Sequence, residues 1–169
     1  RICAGFALAL ALGIALGALS FVVGWVRALL HPVVSVVKAT PVASFVILAL
    51  IWISSKNLSI FISFLMVFPI MYENMLAGLE SADAKLLEMG QVFHLSRMAR
   101  IRAIYLPAAY PFLLSAARLS LGMCWKSGIA AEVIGQPRQS IGAELNQAKL
   151  FFNTPDLFAW TVTIIVVSV

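Results

Sequence analysis

Charged residues are scarce in this chain: they make up 11% of its 169 residues, while 62% are hydrophobic and the mean hydropathy is +1.00. A soluble domain of this size needs more charge to face water. The apolar residues occur in runs of about 20, which is the length that crosses a bilayer as a helix. The alternating pattern of membrane strands is missing. The composition therefore predicts an all-α, polytopic transmembrane bundle.

Cysteine and histidine are also rare. Cys3 and Cys124 both fall inside apolar runs, so they predict neither a disulfide framework nor a metal-ligand spacing. His31 and His94 are too far from other ligand-type residues to form a site. We expect no metal centre in this chain.

A phosphate-binding loop is missing as well. Lys126-Ser127 superficially resembles the end of such a loop, but Trp125 precedes it where glycine is required. The pair also ends an apolar run instead of opening a helix after a strand. We therefore expect no cofactor bound by this chain itself, and no enzymatic activity in it.

Both ends of the sequence look truncated. Arg1 lies directly against an apolar run, and Val169 falls inside another. No cleavable signal peptide is visible in the opening run. We expect the natural chain to continue at both ends.

The apolar runs predict a single transmembrane domain over residues 1–169, with five visible membrane spans. Their predicted bounds are 2–26, 40–55, 58–79, 108–126 and 155–169. Between the first two spans, residues 27–39 carry basic side chains around Pro32 and predict a short turn.

Small residues recur at every fourth position of the first span, at Gly5, Ala9, Gly13 and Gly17. Such a face lets two helix backbones approach closely in lipid, where apolar burial no longer drives association. Packing within the chain is favoured over homodimerisation through this face.

The formal net charge of +5 is explained by Lys and Arg in cytoplasmic loops, without invoking a nucleic acid partner. One side of the predicted topology is richer in these residues, and the polar loop of residues 80–107 supplies four of them: Lys85, Arg97, Arg100 and Arg102. The positive-inside rule places the 80–107 loop in the cytoplasm.

Within this loop, residues 81–105 predict two short amphipathic helices, which we call the knob. Ser81 is the predicted N-cap of the first helix, and Ser96 of the second. One apolar face recurs at helical spacing: Ala82, Leu86, Met89 and Phe93. A turn is expected near residues 93–95. The residues alone leave open whether the knob binds a partner or lies flat on the lipid headgroups.

The loop resembles the EAA loop of binding-protein-dependent ABC importer permeases. That pattern is Glu-Ala-Ala, three residues, Gly, nine residues and Ile-x-Leu-Pro. Here it falls on Glu88-Met89-Gly90, His94 and Ile-Tyr-Leu-Pro at 104–107, with every spacing preserved. Met89 and Gly90 replace the alanines. His94 replaces a glycine that allows positive φ, a geometry that histidine tolerates better than most residues. The sequence that follows, LPAAYPFLLSAARLSLGMCWKSGIAAEVIG, resembles the nitrate/sulfonate/taurine branch of these permeases.

The resemblance covers essentially the whole chain and implies the type I ABC importer permease fold. It implies that the loop inserts into an ABC ATPase subunit, which uses ATP and Mg²⁺, and that Glu88 meets a basic residue there. The implied coupling residues are Glu88, Met89, Gly90, His94, Ser96, Arg97, Arg100, Ile104, Leu106 and Pro107. Further implied partners are a periplasmic or lipid-anchored substrate-binding protein and a second permease copy, in the lipid of the bacterial inner membrane.

The expected function is import of a small solute by alternating access. The resembling branch handles anions such as sulfonates and nitrate, but similar permeases carry uncharged vitamin precursors, so the resemblance leaves the substrate open. Arg118, Lys126 and Glu132 are the candidate residues of the translocation path. A charge as deep as Arg118 is costly in lipid, so it lines a wet path, pairs with a carboxylate such as Glu132, or snorkels.

Two other functions stay open at this stage. An ion-gradient-driven transporter needs acidic or His side chains within its spans, and Glu73, at the cytoplasmic end of the third span, is the closest case. A membrane scaffold would bind the ATPase without moving solute.

Overall fold

The computed structural model describes residues 1–168, and every regular element in that range is helical, which confirms the all-α prediction. The elements are α1 (Ile2–Val22), α2 (Gly24–Ala39), α3 (Val42–Trp52), α4 (Ser55–Glu80), α5 (Ala84–Val92), α6 (Arg97–Arg100), a π-helical turn (Ile101–Tyr105), α7 (Leu106–Gly135), α8 (Ile141–Leu150) and α9 (Thr154–Ser168). The predicted span 155–169 ends at Val169, which lies outside the described residues.

Helices α1, α4 and α7 form the core of the bundle. Gly5 faces Ser63 and Gly17 faces Met75, so α1 and α4 run parallel. Gly78 of α4 faces Ala109 at the start of α7, and Ser63 of α4 faces Gly128 further along α7, so these two helices are antiparallel. All four small residues of α1 are buried, and the glycines among them lie against α4, which confirms that this face packs within the chain.

The parallel arrangement of α1 and α4 determines the path between them. A chain that leaves α1 on one side of the membrane and enters α4 from the other must cross back. Helices α2 and α3 make this crossing as a broken span, bent by 107°. Together with this pair, α1, α4 and α7 give four candidate spans among the described residues, while α9 is apolar but shorter, so the five predicted spans stay a prediction.

The turn predicted over residues 27–39 is wrong, because this segment is the helix α2, with Pro32 in its interior. Its polar residues lie on one helical face, and two of them have partners on α4. Arg27 pairs with Glu80, and Lys38 Nζ lies 2.7 Å from Glu73 Oε2. In the sequence, proline next to basic residues suggested a turn. In the structure, the basic residues form ion pairs from a helix.

Helix α7 is longer than the predicted span 108–126. It continues to Gly135, and the stretch Arg97–Gly135 forms 39 residues of unbroken helix, including the π-helical turn. The helix ends where Gln136 adopts a left-handed conformation with φ 46°. The polar residues after position 126 lower the hydropathy of the segment but do not interrupt its helix.

Candidate functional site

The first helix of the knob is capped by Asp83 and not by Ser81. The Asp83 Oδ1 atom accepts a hydrogen bond from the Lys85 N–H at 2.9 Å and caps α5. Ser81 instead closes α4, because its hydroxyl donates to the Gly78 carbonyl at 2.8 Å. The predicted cap was therefore wrong by two residues, since α4 extends further than the apolar run that predicted it.

The turn expected near residues 93–95 is confirmed. His94 adopts φ 49°, the left-handed geometry that the glycine of the resembling pattern allows. The Leu95 N–H then donates to the Gly90 carbonyl at 2.9 Å and closes the end of α5.

The second half of the knob is continuous with the membrane helix. Ser96 caps α6 as predicted, with its Oγ accepting from the Ala99 N–H at 3.2 Å. Arg100 Nε donates to the Leu95 carbonyl at 3.2 Å and ties α6 to the turn. The chain then passes through the π-helical turn into α7, whose first turn contains Leu106 and Pro107.

The interior of the knob is small. Gly90 is buried, and a Cβ atom at this position would lie 3.4 Å from Leu95 Cδ1 and 3.5 Å from Ile104 Cδ1. These are ordinary contact distances, so glycine or alanine fits here and larger side chains do not. The motif positions Gly90 and Ile104 thus lie side by side inside the knob.

The outside of the knob is unusually apolar. Phe93 is 71% exposed. Large apolar side chains exposed with it are Leu86, Met89, Val92, Met98 and Ile101. Glu88 and Arg97 are also exposed, and the ion pairs within the described residues do not include either of them. An exposed apolar patch with polar residues interspersed is typical of a protein-binding surface.

The candidate path residues separate into two groups. Arg118 and Lys126 are exposed on α7. Glu132 is 7% exposed, and its Oε2 accepts from the Gly142 N–H at the start of α8, at 3.4 Å. Arg118 precedes Glu132 by 14 residues, about 21 Å along the helix, so the pairing considered between them does not form within the chain.

The two ion pairs between α2 and α4 were missed in the sequence, although a signal exists. Polar residues of α2 occur at helical spacing, at Arg27, His31, Ser35 and Lys38. This pattern marks one face of a helix. The Arg27–Glu80 pair lies beside the point where α4 enters the 80–107 loop.

Comparisons with known proteins agree with this geometry. The family described as "Binding-protein-dependent transport system inner membrane component" matches residues 9–169. A probable ABC transporter permease protein of Brucella melitensis is 30% identical over 168 residues, which is 97% of this chain and 67% of that protein. A putative aliphatic sulfonates transport permease protein of Bacillus subtilis is 30% identical over 170 residues, covering 99% of this chain and 61% of that protein.

A third relative is the taurine transport system permease protein of Escherichia coli, 27% identical over 144 residues, which is 85% of this chain and 52% of that protein. The chain thus spans between about half and two thirds of the length of these relatives. With its apolar membrane-crossing helices, it is a multi-pass inner-membrane protein. It belongs to the family of binding-protein-dependent transport system inner membrane components, the permeases of ABC transporters.

Proposed function

We propose that this chain is the permease subunit of an ATP-driven importer and that the knob is its docking surface for an ABC ATPase. The observation that carries the proposal is the exposed apolar surface around Phe93, on a segment that lies outside the membrane spans. Water disfavours such a surface unless a partner covers it. In this proposal ATP and Mg²⁺ are used by that partner.

The connection of the knob to the bundle supports a coupling role. The knob follows α4 at Glu80 and passes without a break into α7, and these two helices meet at Gly78 and Ala109. A partner that moves the knob would therefore tilt α4 and α7 together as one body. Glu88, exposed on α5, would meet a basic residue of the ATPase.

The solute would cross by alternating access, after delivery by a periplasmic or lipid-anchored binding protein. A second permease copy completes the proposed path. The printed names of two relatives refer to aliphatic sulfonates and taurine. We propose a small organic anion of this kind as the solute.

The test is uptake in sealed vesicles that hold the full-length permease, its ATPase and its binding protein. Radiolabelled taurine and methanesulfonate serve as probes. We expect accumulation of at least one probe that requires ATP on the ATPase side and persists when a protonophore collapses the ion gradient. Uptake that depends on the ion gradient and not on ATP would mean that the chain is a secondary transporter. ATPase binding without uptake of any solute in a wider anion panel would make it a scaffold.

A further inference from the structure

Helix α7 has two opposite faces. The face that packs in the core carries small buried residues at four-residue spacing: Ala116, Ser120 and Cys124. Arg118, Gly122 and Lys126 each follow one of these buried residues by two positions. They therefore lie about 200° around the helix axis from the buried face. Arg118 and Lys126 are exposed, so this second face, which we call the cationic face, points away from the core.

The cationic face begins deep in the membrane. Ala116 shares a buried cluster with Ala9 and Met71, and Ala9 belongs to the middle turns of α1, a helix of 21 residues without a charge. Arg118 is two residues beyond Ala116 and therefore lies near the middle of the bilayer. Lys126 is eight residues further, about 12 Å toward the outer surface. This depth is out of reach of lipid headgroups for Arg118.

No carboxylate of the described chain compensates these charges. The chain has seven acidic residues: Glu73 lies seven residues before the end of α4, Glu132 lies three residues before the end of α7, and the other five lie at helix ends or outside the membrane helices. Glu73 pairs with Lys38, and Glu132 is turned toward the Gly142 N–H. A second copy of the same chain would bring the same carboxylates, already engaged. An arginine at this depth is costly in lipid and typically faces the bundle interior or a water-filled cavity. Because Arg118 points away from the core, a water-filled cavity with a counter-ion fits it best.

Gly122 leaves room for such an ion. A Cβ atom built at Gly122 has no heavy atom within 4 Å, so the space between the two cations is open. The arginine guanidinium presents a planar fork of donors that matches the oxygens of sulfonate or carboxylate groups, and a lysine adds a compact charge. We propose that Arg118, Gly122 and Lys126 form a binding face for a small organic oxyanion on the translocation path. The proposal rests on the function proposed above, because it takes the transported solute to be that anion.

The test uses a cysteine at Gly122 in membrane vesicles that contain the full-length transporter. Cys3→Ala and Cys124→Ala first remove the two thiols of the sequence described here, and the same vesicles without G122C give the background labelling. The G122C thiol then reacts with either of two methanethiosulfonate reagents of similar size, sulfonatoethyl (anionic) or trimethylammonioethyl (cationic). Each rate is divided by the rate with a free small thiol. We expect the normalised anionic rate to exceed the cationic one, and the ratio to fall about tenfold when Arg118→Gln and Lys126→Gln are added.

Leu121→Cys is the matched control, because Leu121 is 60% exposed at the same depth and points to a different side of the helix. We expect it to react with neither reagent. Ser115→Cys, an exposed position one turn before Arg118, repeats the measurement if G122C fails to assemble.

Three results would overturn the proposal. A G122C thiol as unreactive as L121C would place the cationic face in lipid. A disulfide between two copies under mild oxidant would mean that a second chain covers it. Equal normalised rates for both reagents would mean that the face is wet without preferring anions. The labelling requires no ATP, so its outcome is independent of the uptake test. Charge-selective labelling without ATP-driven uptake would contradict the proposed transport cycle but not the proposed binding face.

Discussion

The core of the bundle and the knob expose apolar side chains to different surroundings. In the core, glycines and alanines lie at the helix contacts, and large side chains such as Leu12 point outward. Lipid is as apolar as leucine, so this outward exposure has little cost. The knob buries Gly90 and leaves Phe93 exposed in the loop that we expect to be cytoplasmic, where water would disfavour it. The same kind of exposed residue is thus neutral in one region and indicates a missing partner in the other.

The largest effect is expected from overpacking the core at Gly78. A Cβ there would lie 2.8 Å from Ala109 Cα, a backbone atom that cannot rotate away. We expect Gly78→Leu to lower the free energy of unfolding by about 3 kcal/mol or more. Thermal unfolding of the purified permease measures the change. Gly24→Leu is the control, because a Cβ at Gly24 has no heavy atom within 4 Å. Equal losses in both variants would mean that the close helix contact does not stabilise the core.

A second prediction separates exposure to lipid from exposure to a partner. Phe93→Ala should weaken binding of the ATPase about 30-fold, as loss of an aromatic anchor worth about 2 kcal/mol does at interfaces. The stability of the isolated permease should not change, since Phe93 is 71% exposed. Titration of the ATPase onto the permease in nanodiscs measures the affinity. Phe158→Ala, at a 65% exposed position on α9, should leave binding unchanged. Equal effects at Phe93 and Phe158 would remove the distinction between the two regions.

The smallest effect concerns the turn that shapes the knob. His94 has φ 49°, so His94→Val should destabilise the turn by about 1–2 kcal/mol, whereas His94→Gly should preserve it. Hydrogen exchange at the Leu95 amide, which donates to the Gly90 carbonyl, reports on the opening of this turn. Faster exchange is expected for the valine variant alone. His31→Val, a change on α2, should leave that amide untouched, and a similar acceleration there would show a global effect.

Much of the fold could be predicted where local chemistry decides it. The small face of α1 predicted a helix contact within the chain, and Ser96 predicted the cap of α6. The spacing of the 80–107 loop placed the turn at His94, because a left-handed residue has to end α5 before α6 can begin.

Other features depend on contacts that are distant in sequence. Helix α2 was missed because Pro32 suggests a turn, while its ion pairs with Glu73 and Glu80 lie more than 30 residues away. The cap at Asp83 depends on where α4 ends. The Arg118–Glu132 pairing failed because 14 residues of continuous helix separate the two residues, and Glu132 accepts a hydrogen bond from the first turn of α8 instead.

The most direct test of the account is ATP hydrolysis by the assembled transporter with Glu88→Ala and, separately, Glu88→Lys. Glu88 is exposed on α5 and is not part of the ion pairs described within the chain, so neither change should unfold the permease. We expect the ATPase subunits to remain bound while hydrolysis stimulated by the loaded binding protein falls, most severely for lysine because it places like charges together. If both variants hydrolyse ATP and import solute like the wild type, the knob is not the coupling surface.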